Sequence, residues 1–298
     1  MTTGQVIETV GGVYTIRTAA GTVEASLRGR LKHSGAVPGK VVVGDRVGVE
    51  ATYGGGHVIE SVLPRETHLV RRAMGGRMAK VVAANLDRLL VVASVADPPP
   101  SRSVIDRMLV MGDSGGMESC LVLNKVDLSS GRAVAAELSR EYRTAGYAVL
   151  STSVVSGEGI DAFREVIHAG SSALAGPSGV GKSSLLNAVE PALALRTRSV
   201  GRRSKTGKHT TVSSSLIPLA GGGHVADTPG FSDVGLGDVA PEALDRCFVD
   251  FRPFLGQCHF KDCRHAHEPN CAVQTAVEEG RIQRLRYRSY RTILSELA

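Results

Sequence analysis

The chain has little of what would mark a secreted or membrane protein. It holds five cysteines in 298 residues, four of them after position 246, so a disulfide scaffold is not expected. No apolar run approaches the roughly 20 residues of a membrane span. Met1-Thr2-Thr3-Gly4-Gln5 lacks a basic and apolar export segment. There is no internal repeat and no low-complexity tract. The expectation is a cytoplasmic protein of more than one domain. What is present in excess is positive charge: +6 at pH 7, with a pI near 9.2. That balance fits either a mildly basic enzyme or a protein with an acidic partner, most simply nucleic acid.

Three regions differ in rhythm. Up to about residue 65 the chain reads as short strands, Gln5 to Val10, Gly12 to Arg17, Thr22 to Leu27, Arg46 to Glu50 and His57 to Leu63, separated by glycine turns. That pattern suits a small β-barrel, either an OB-fold or an SH3-like barrel. From about 70, strands and helices alternate. Leu89 to Ala93, Cys120 to Leu123 and Tyr147 to Leu150 read as strands, and Val104 to Met111, Arg132 to Thr144 and Ile160 to Ile167 as helices. A mostly parallel sheet with helices on both faces follows. After Pro241 come a short helix, a Cys/His cluster and a basic helix from about Thr275, a unit small enough to need a metal staple.

Within the middle region stands a complete guanine-nucleotide set in an unusual order. Asn124-Lys125-Val126-Asp127 comes first, and Gly176-Pro177-Ser178-Gly179-Val180-Gly181-Lys182-Ser183 follows about 50 residues later. Asp227-Thr228-Pro229-Gly230 comes last. The base-reading half precedes the phosphate-binding half, so one pocket forms only if the fold is circularly permuted. Permutation is tolerated because domain termini often lie close together.

Each motif has a chemical reason. In the phosphate loop, glycines let backbone N–H groups converge on the β-phosphate, Lys182 neutralises the β- and γ-oxygens, and Ser183 offers its hydroxyl to Mg²⁺. The helix that starts there, with Ser184 in its first turn, adds a favourable field. Asp127 can accept from the N1–H and N2–H₂ edge of guanine, Asn124 can meet the O6/N7 side, and the stem of Lys125 can cover the ring. Thr152 and Ser153 end the next strand as the loop that closes on the base. Asp227 would hold Mg²⁺ through water, and the Gly230 N–H would sense the γ-phosphate. Lys208-His209-Thr210-Thr211 lies in a glycine- and arginine-rich stretch, as a first switch would, with Thr211 on Mg²⁺. Phe231 stands where many GTPases carry a water-orienting glutamine, so unaided turnover should be slow. His209 is the nearest polar substitute for that job, or it binds phosphate or RNA.

Cys258-x4-Cys263-x-His265-x5-Cys271 offers three thiolates and one imidazole, a set suited to one structural, tetrahedral zinc with no open position. Arg196, Arg198, Arg202, Arg203, Lys205 and Lys208 form a run without an acidic residue. Arg281, Arg284, Arg288 and Arg291 recur at helical spacing, as if on one face. Both runs, in a chain whose barrel suits an OB-fold, point to RNA phosphates rather than a merely solvated face.

Taken together, these residues resemble the ribosome small-subunit-dependent GTPase A family over nearly the whole chain: barrel, permuted motif order, Lys-His-Thr-Thr switch and Cys/His cluster. The resemblance implies an N-terminal OB-fold over 1–68 and a circularly permuted P-loop GTPase domain over 69–238. A zinc-binding helical domain would then occupy 239–298. It also implies a cytoplasmic, monomeric enzyme that hydrolyses GTP to GDP with Mg²⁺, is stimulated by the small ribosomal subunit and its rRNA, and acts late in subunit maturation. In this reading His209 and Thr211 take part in hydrolysis. Lys208 departs from the arginine common at that place, and no basic tail precedes the barrel. A GTP-switched RNA-binding module, and a GTPase of tRNA modification or metal transport, are the competing readings.

Overall fold

The computed structural model describes residues 1–29, 40–71, 79–129, 131–195, 214–227 and 239–297. The basic run from Arg196 to Lys208, His209, Thr211, Gly230 and Phe231 lie outside the described residues.

Five strands, β1 (Thr2–Val10), β2 (Val13–Thr18), β3 (Gly21–Leu27), β4 (Arg46–Ala51) and β5 (His57–Val62), make the N-terminal unit. The first three run as a meander; β3 then pairs parallel with β5, β5 antiparallel with β4, and β4 returns to β1. The closed order with a parallel β3–β5 pair is the Greek-key OB-fold, not an SH3-like meander. Alternating residues Val6, Ile16, Val47 and Ile59 fill its interior with no exposure. A hairpin follows, β6 (His68–Arg71) with β7 (Lys80–Ala84); its short, mixed strands gave no clear period.

The middle unit continues with β8 (Arg88–Ser94), α1 (Arg102–Ser114), β9 (Glu118–Asn124), α2 (Gly131–Thr144), β10 (Ala148–Thr152), α3 (Ile160–His168), β11 (Ser171–Ala175), α4 (Lys182–Val189), β12 (Ser214–Pro218) and β13 (His224–Asp227). Its sheet has the order β10-β9-β8-β11-β13-β12, parallel except for β12. The continuous apolar run of β8 is buried on both faces, as a central parallel strand requires. From β8 the chain steps outward through β9 to β10. It then returns to lay β11 on the other side of β8, continues to the outer strand β12 and folds back to set β13 between β12 and β11. The switch point therefore falls between β8 and β11, where open α/β sheets bind ligands at the carboxyl ends of their strands.

Barrel and sheet are joined edge to edge. A bulge after Val6 lets β1 leave β4 and pair with β12, through Glu8 opposite Ser215 and Thr9 opposite Ser214. Arg17 of β2 adds a second tie, its Nη1 2.7 Å from His224 Nε2. Burial and the Arg17 charge both lower the His224 pKa, which keeps the ring neutral and able to accept that bond.

The C-terminal unit consists of 3₁₀ turns at Pro241–Ala243, Asp245–Cys247 and Val249–Phe254, then α5 (Ala272–Glu278) and α6 (Arg284–Leu297). One basic helix from Thr275 is not what forms. Gly280, at φ 75°, breaks the chain between two helices. Arg281 is therefore not on the arginine face; it pairs with Glu279 and lies 4.7 Å from the Phe254 ring centroid. Arg284, Arg288 and Arg291 remain together and exposed on α6.

On the opposite face of α6, Arg286 is fully buried. It donates to Asp106 of α1 and, at 2.9 Å, to Asp250 Oδ1, and it lies over the Phe248 ring. Tyr142 of α2 donates to the same Asp106 carboxylate at 2.9 Å. Two buried carboxylates depend on this one guanidinium. Arg286→Ala should lower the denaturation midpoint of the C-terminal unit by a loss of about 3–5 kcal/mol, as for other broken buried pairs. Replacing Arg286, Asp106 and Asp250 together with neutral side chains should cost less; an equal or smaller loss from the single change would contradict this account.

Candidate functional site

The phosphate loop follows β11 and the base box follows β9, so both emerge at the carboxyl edge with only β8 between their strands. Side chains close the remaining gap. Asn124 Nδ2 donates to Val180 O of the phosphate loop at 2.8 Å, across 56 positions of sequence. Its Oδ1 accepts from the Thr152 hydroxyl at 3.1 Å. Both ends of this buried amide are thus committed inside the protein, where it brackets the two halves of the pocket.

Two glycines are required by this close approach. Gly181 has φ +99°, and a Cβ there would lie 2.3 Å from Asn124 Nδ2. Gly176 has φ +152°, and its Cβ would lie 2.3 Å from Val92 O of β8. Neither position admits a side chain. Pro177, Ser178, Gly179 and Val180 complete the loop, and Lys182 and Ser183 open α4, with Ser184 next. The Lys182 ammonium turns back over the loop and donates to Gly176 O and Pro177 O. Burial lowers its pKa, a desolvation that a phosphate anion beside it would offset.

On the base side, the Ser153 hydroxyl donates to Asp127 Oδ1 at 2.6 Å, and its N–H is taken by Glu158 O at 2.9 Å. Thr152 and Ser153 are both fully buried. They brace Asn124 and Asp127 from behind, a supporting place that sequence spacing did not foretell. Lys125 adopts φ +67° and donates to Asp97 O, tying the box to the Pro98–Pro100 loop. Asp227 ends β13 opposite Ser215, the residue that also pairs with Glu8 of the barrel. His209, Thr211 and Gly230 lie outside the described residues.

In the C-terminal unit, one donor atom each from Cys258, Cys263, His265 and Cys271 fall within 4.8 Å of one another. His265 Nδ1 is 3.5 Å from the sulfurs of Cys258 and Cys263 and 3.3 Å from that of Cys271, and Cys258 and Cys271 sulfurs are 3.9 Å apart. Donors so spaced could stand at the corners of a tetrahedron around a metal ion, for which sulfur bonds of about 2.3 Å are usual. His265 Nε2 faces Asp245 Oδ2 at 3.4 Å, the arrangement in which a carboxylate orients a ligating imidazole. Cys271 Sγ also accepts from Gln274 N at 3.5 Å, at the start of α5. The four residues thus fit a bound metal ion. Tyr287 and Tyr290 of α6 donate to the carbonyls of His265 and Arg264, each at 2.7 Å, so the cluster and the arginine-bearing helix are one body. Neither Asp245 nor Arg286 carried a motif that sequence reading would catch.

A phosphate loop at the switch point of a parallel sheet, with its base box earlier in the chain, defines a circularly permuted P-loop GTPase. Comparison with known proteins agrees. The RsgA GTPase family model matches residues 62–237, and the RsgA N-terminal domain model matches residues 3–59. The chain belongs to the RsgA GTPase family. A relative from Gemmatimonas aurantiaca, named small ribosomal subunit biogenesis GTPase RsgA, is 45% identical over 99% of this chain and 97% of its own. One of the same name from Moorella thermoacetica is 38% identical over the same shares. Among solved structures, YjeQ from Thermotoga maritima superposes with a TM-score of 0.80 at 35% identity, covering 99% of this chain and 98% of its own. YloQ, described as a circularly permuted GTPase, gives 0.75 at 28% identity over 100% and 95%.

Two outcomes follow from this geometry. Asn124→Ala leaves Val180 O without this donor and the Thr152 hydroxyl with only Leu123 O, at 3.5 Å, a loss of about 1–3 kcal/mol. Calorimetry should show weaker GTP-analogue binding and lower thermal stability together, and a change in binding alone would contradict the bracketing role. Asp245→Ala should reduce metal affinity on the order of 10- to 100-fold in a chelator competition, leaving nucleotide affinity unchanged.

Proposed function

We propose that this GTPase serves late maturation of the small ribosomal subunit, binding its rRNA and being stimulated by it. The observation that carries the reading is near-full-length similarity to relatives named small ribosomal subunit biogenesis GTPase. Three features of the chain support it: the OB-fold, the exposed Arg284, Arg288 and Arg291 face, and the basic run of 196–208 beside the first switch. We assign the units as 1–68, 69–238 and 239–298. The protein works in the cytoplasm as a monomer cycling between GTP and GDP; among the described residues, no helix is long and apolar enough to cross a membrane.

In this reading Asp127 selects guanine, with Lys125 over the ring and Asn124, Thr152 and Ser153 holding the box in place. The loop from Gly176 to Ser184 takes the phosphates. Lys182 neutralises charge that builds on the leaving oxygens, and Ser183, Asp227 and Thr211 would hold Mg²⁺, which would supply further positive charge for the phosphates. Gly230 senses the γ-phosphate. Phe231 cannot orient water, so His209 takes that task when the subunit is bound. The C-terminal metal is zinc: three soft thiolates and one imidazole at tetrahedral spacing match its preference and leave no place for a reacting water.

Hydrolysis measured with and without small subunits tests the reading. At low salt, stimulation on the order of 10³- to 10⁵-fold is expected, and His209→Ala should lose most of it while keeping GTP affinity. No stimulation of the wild type would reject the ribosomal role; equal stimulation of the mutant would reject only the histidine. In parallel, Asp127→Asn should shift preference from GTP toward XTP, whose edge carries an acceptor at C2. Unchanged selectivity would remove Asp127 from the base site.

A further inference from the structure

Among the described residues, only two phenylalanines or tyrosines are strongly exposed, Tyr53 on the β4–β5 turn and Phe260. Phe260 lies inside the Cys-x4-Cys loop, two positions past Cys258 and three before Cys263. The loop holds it firmly. Its carbonyl accepts from Cys263 N at 3.4 Å, and the preceding His259 N donates to Asn270 O at 3.2 Å. The His259 ring meets the Phe260 ring edge-on, centroids 4.8 Å apart and planes at 89°. The ring is 42% exposed on a loop whose two ends, Cys258 and Cys263, belong to the candidate metal cluster, and an ordered loop has less freedom to lose on binding.

The surroundings are basic. Lys261 follows directly and is exposed. Tyr287 of α6 donates to the His265 carbonyl, which packs the helix bearing the exposed Arg284, Arg288 and Arg291 against the Cys/His cluster. Of the acids nearby, Glu268 is occupied by the backbone N–H groups of Arg264, Ala266 and His267, and Glu242 pairs with Arg264. Asp262 is the exposed exception. Rigid aromatic faces flanked by cations are what unpaired nucleotides stack on, and metal knuckles are among the modules that present them.

We propose that Phe260, beside His259, is a stacking platform for one unpaired base of ribosomal RNA, with Lys261 on an adjoining phosphate. This rests on the ribosomal reading above and adds to it a base contact through the metal loop. The chain contains no tryptophan, so Phe260→Trp places a single reporter there. The test titrates full-length, zinc-loaded protein carrying a GTP analogue with small ribosomal subunits. Phe260→Ala should weaken binding roughly five- to a hundredfold, with zinc content, unstimulated hydrolysis and the salt slope unchanged. Phe260→Trp should keep near wild-type affinity and show quenched emission in the complex. Lys261→Ala should instead reduce the salt slope by about one. Wild-type affinity in Phe260→Ala would overturn the platform while leaving the ribosomal role standing. So would a blue shift without quenching, which would mark an apolar protein pocket. Failure of the wild type to bind subunits would overturn both.

Discussion

The parallel pairing of β11 with β8 is the constraint on which the rest of this molecule depends. It sets Ala173 beside Leu89 and Ala175 beside Val91, joining two halves of a sheet that the chain builds in reverse of the ordinary order. A one-residue slip would turn the buried set of either strand to the other face. Gly176 would then lose its fit against Val92, and Val180 would move off Asn124. The nucleotide pocket is therefore a consequence of strand register, and the permutation is harmless because register is a property of the sheet rather than of chain order.

The other units attach to this sheet at places that matter for its chemistry. The barrel enters through β1, and the rung Glu8–Ser215–Asp227 runs from the barrel to the residue that opens the last phosphate motif. The C-terminal unit enters through Arg286, whose partner Asp106 lies on α1. That helix starts just after the Pro98–Pro100 loop, which follows the Asp97 carbonyl held by Lys125. Both candidate RNA-facing units thus contact elements that end at the nucleotide site. The ties are of different kinds, a hydrogen-bonded strand edge on one side and a desolvated ion cluster on the other. The first tolerates side-chain change, whereas the second does not.

Much of this was legible in the sequence because it rests on local chemistry. The phosphate loop, the base box and the Cys/His spacing declare themselves, since glycine, lysine, carboxylate and thiolate have few substitutes at those tasks. Strand and helix periods located the barrel and the alternating sheet, and chain order alone required a permuted fold. What local pattern could not supply was anything decided by distant partners. The choice of an OB-fold over an SH3-like barrel turned on β3 meeting β5, a pairing between strands separated by β4. The break at Gly280 moved Arg281 off the arginine face, because a glycine near a helix end shows its role only through its φ.

Composition, motif spacing and motif order by themselves determined the class of chemistry and the need for permutation, because these follow from residue types that act over a few positions. Only the tertiary structure decided that Asn124 is a bracket between two loops, that Thr152 and Ser153 stand behind the base box, that Asp245 orients His265, and that Arg286 is buried among acids. Each of those roles is a contact between residues 20 to 180 positions apart. Which pairs meet is set by packing of the whole chain, and no short stretch of it contains that information.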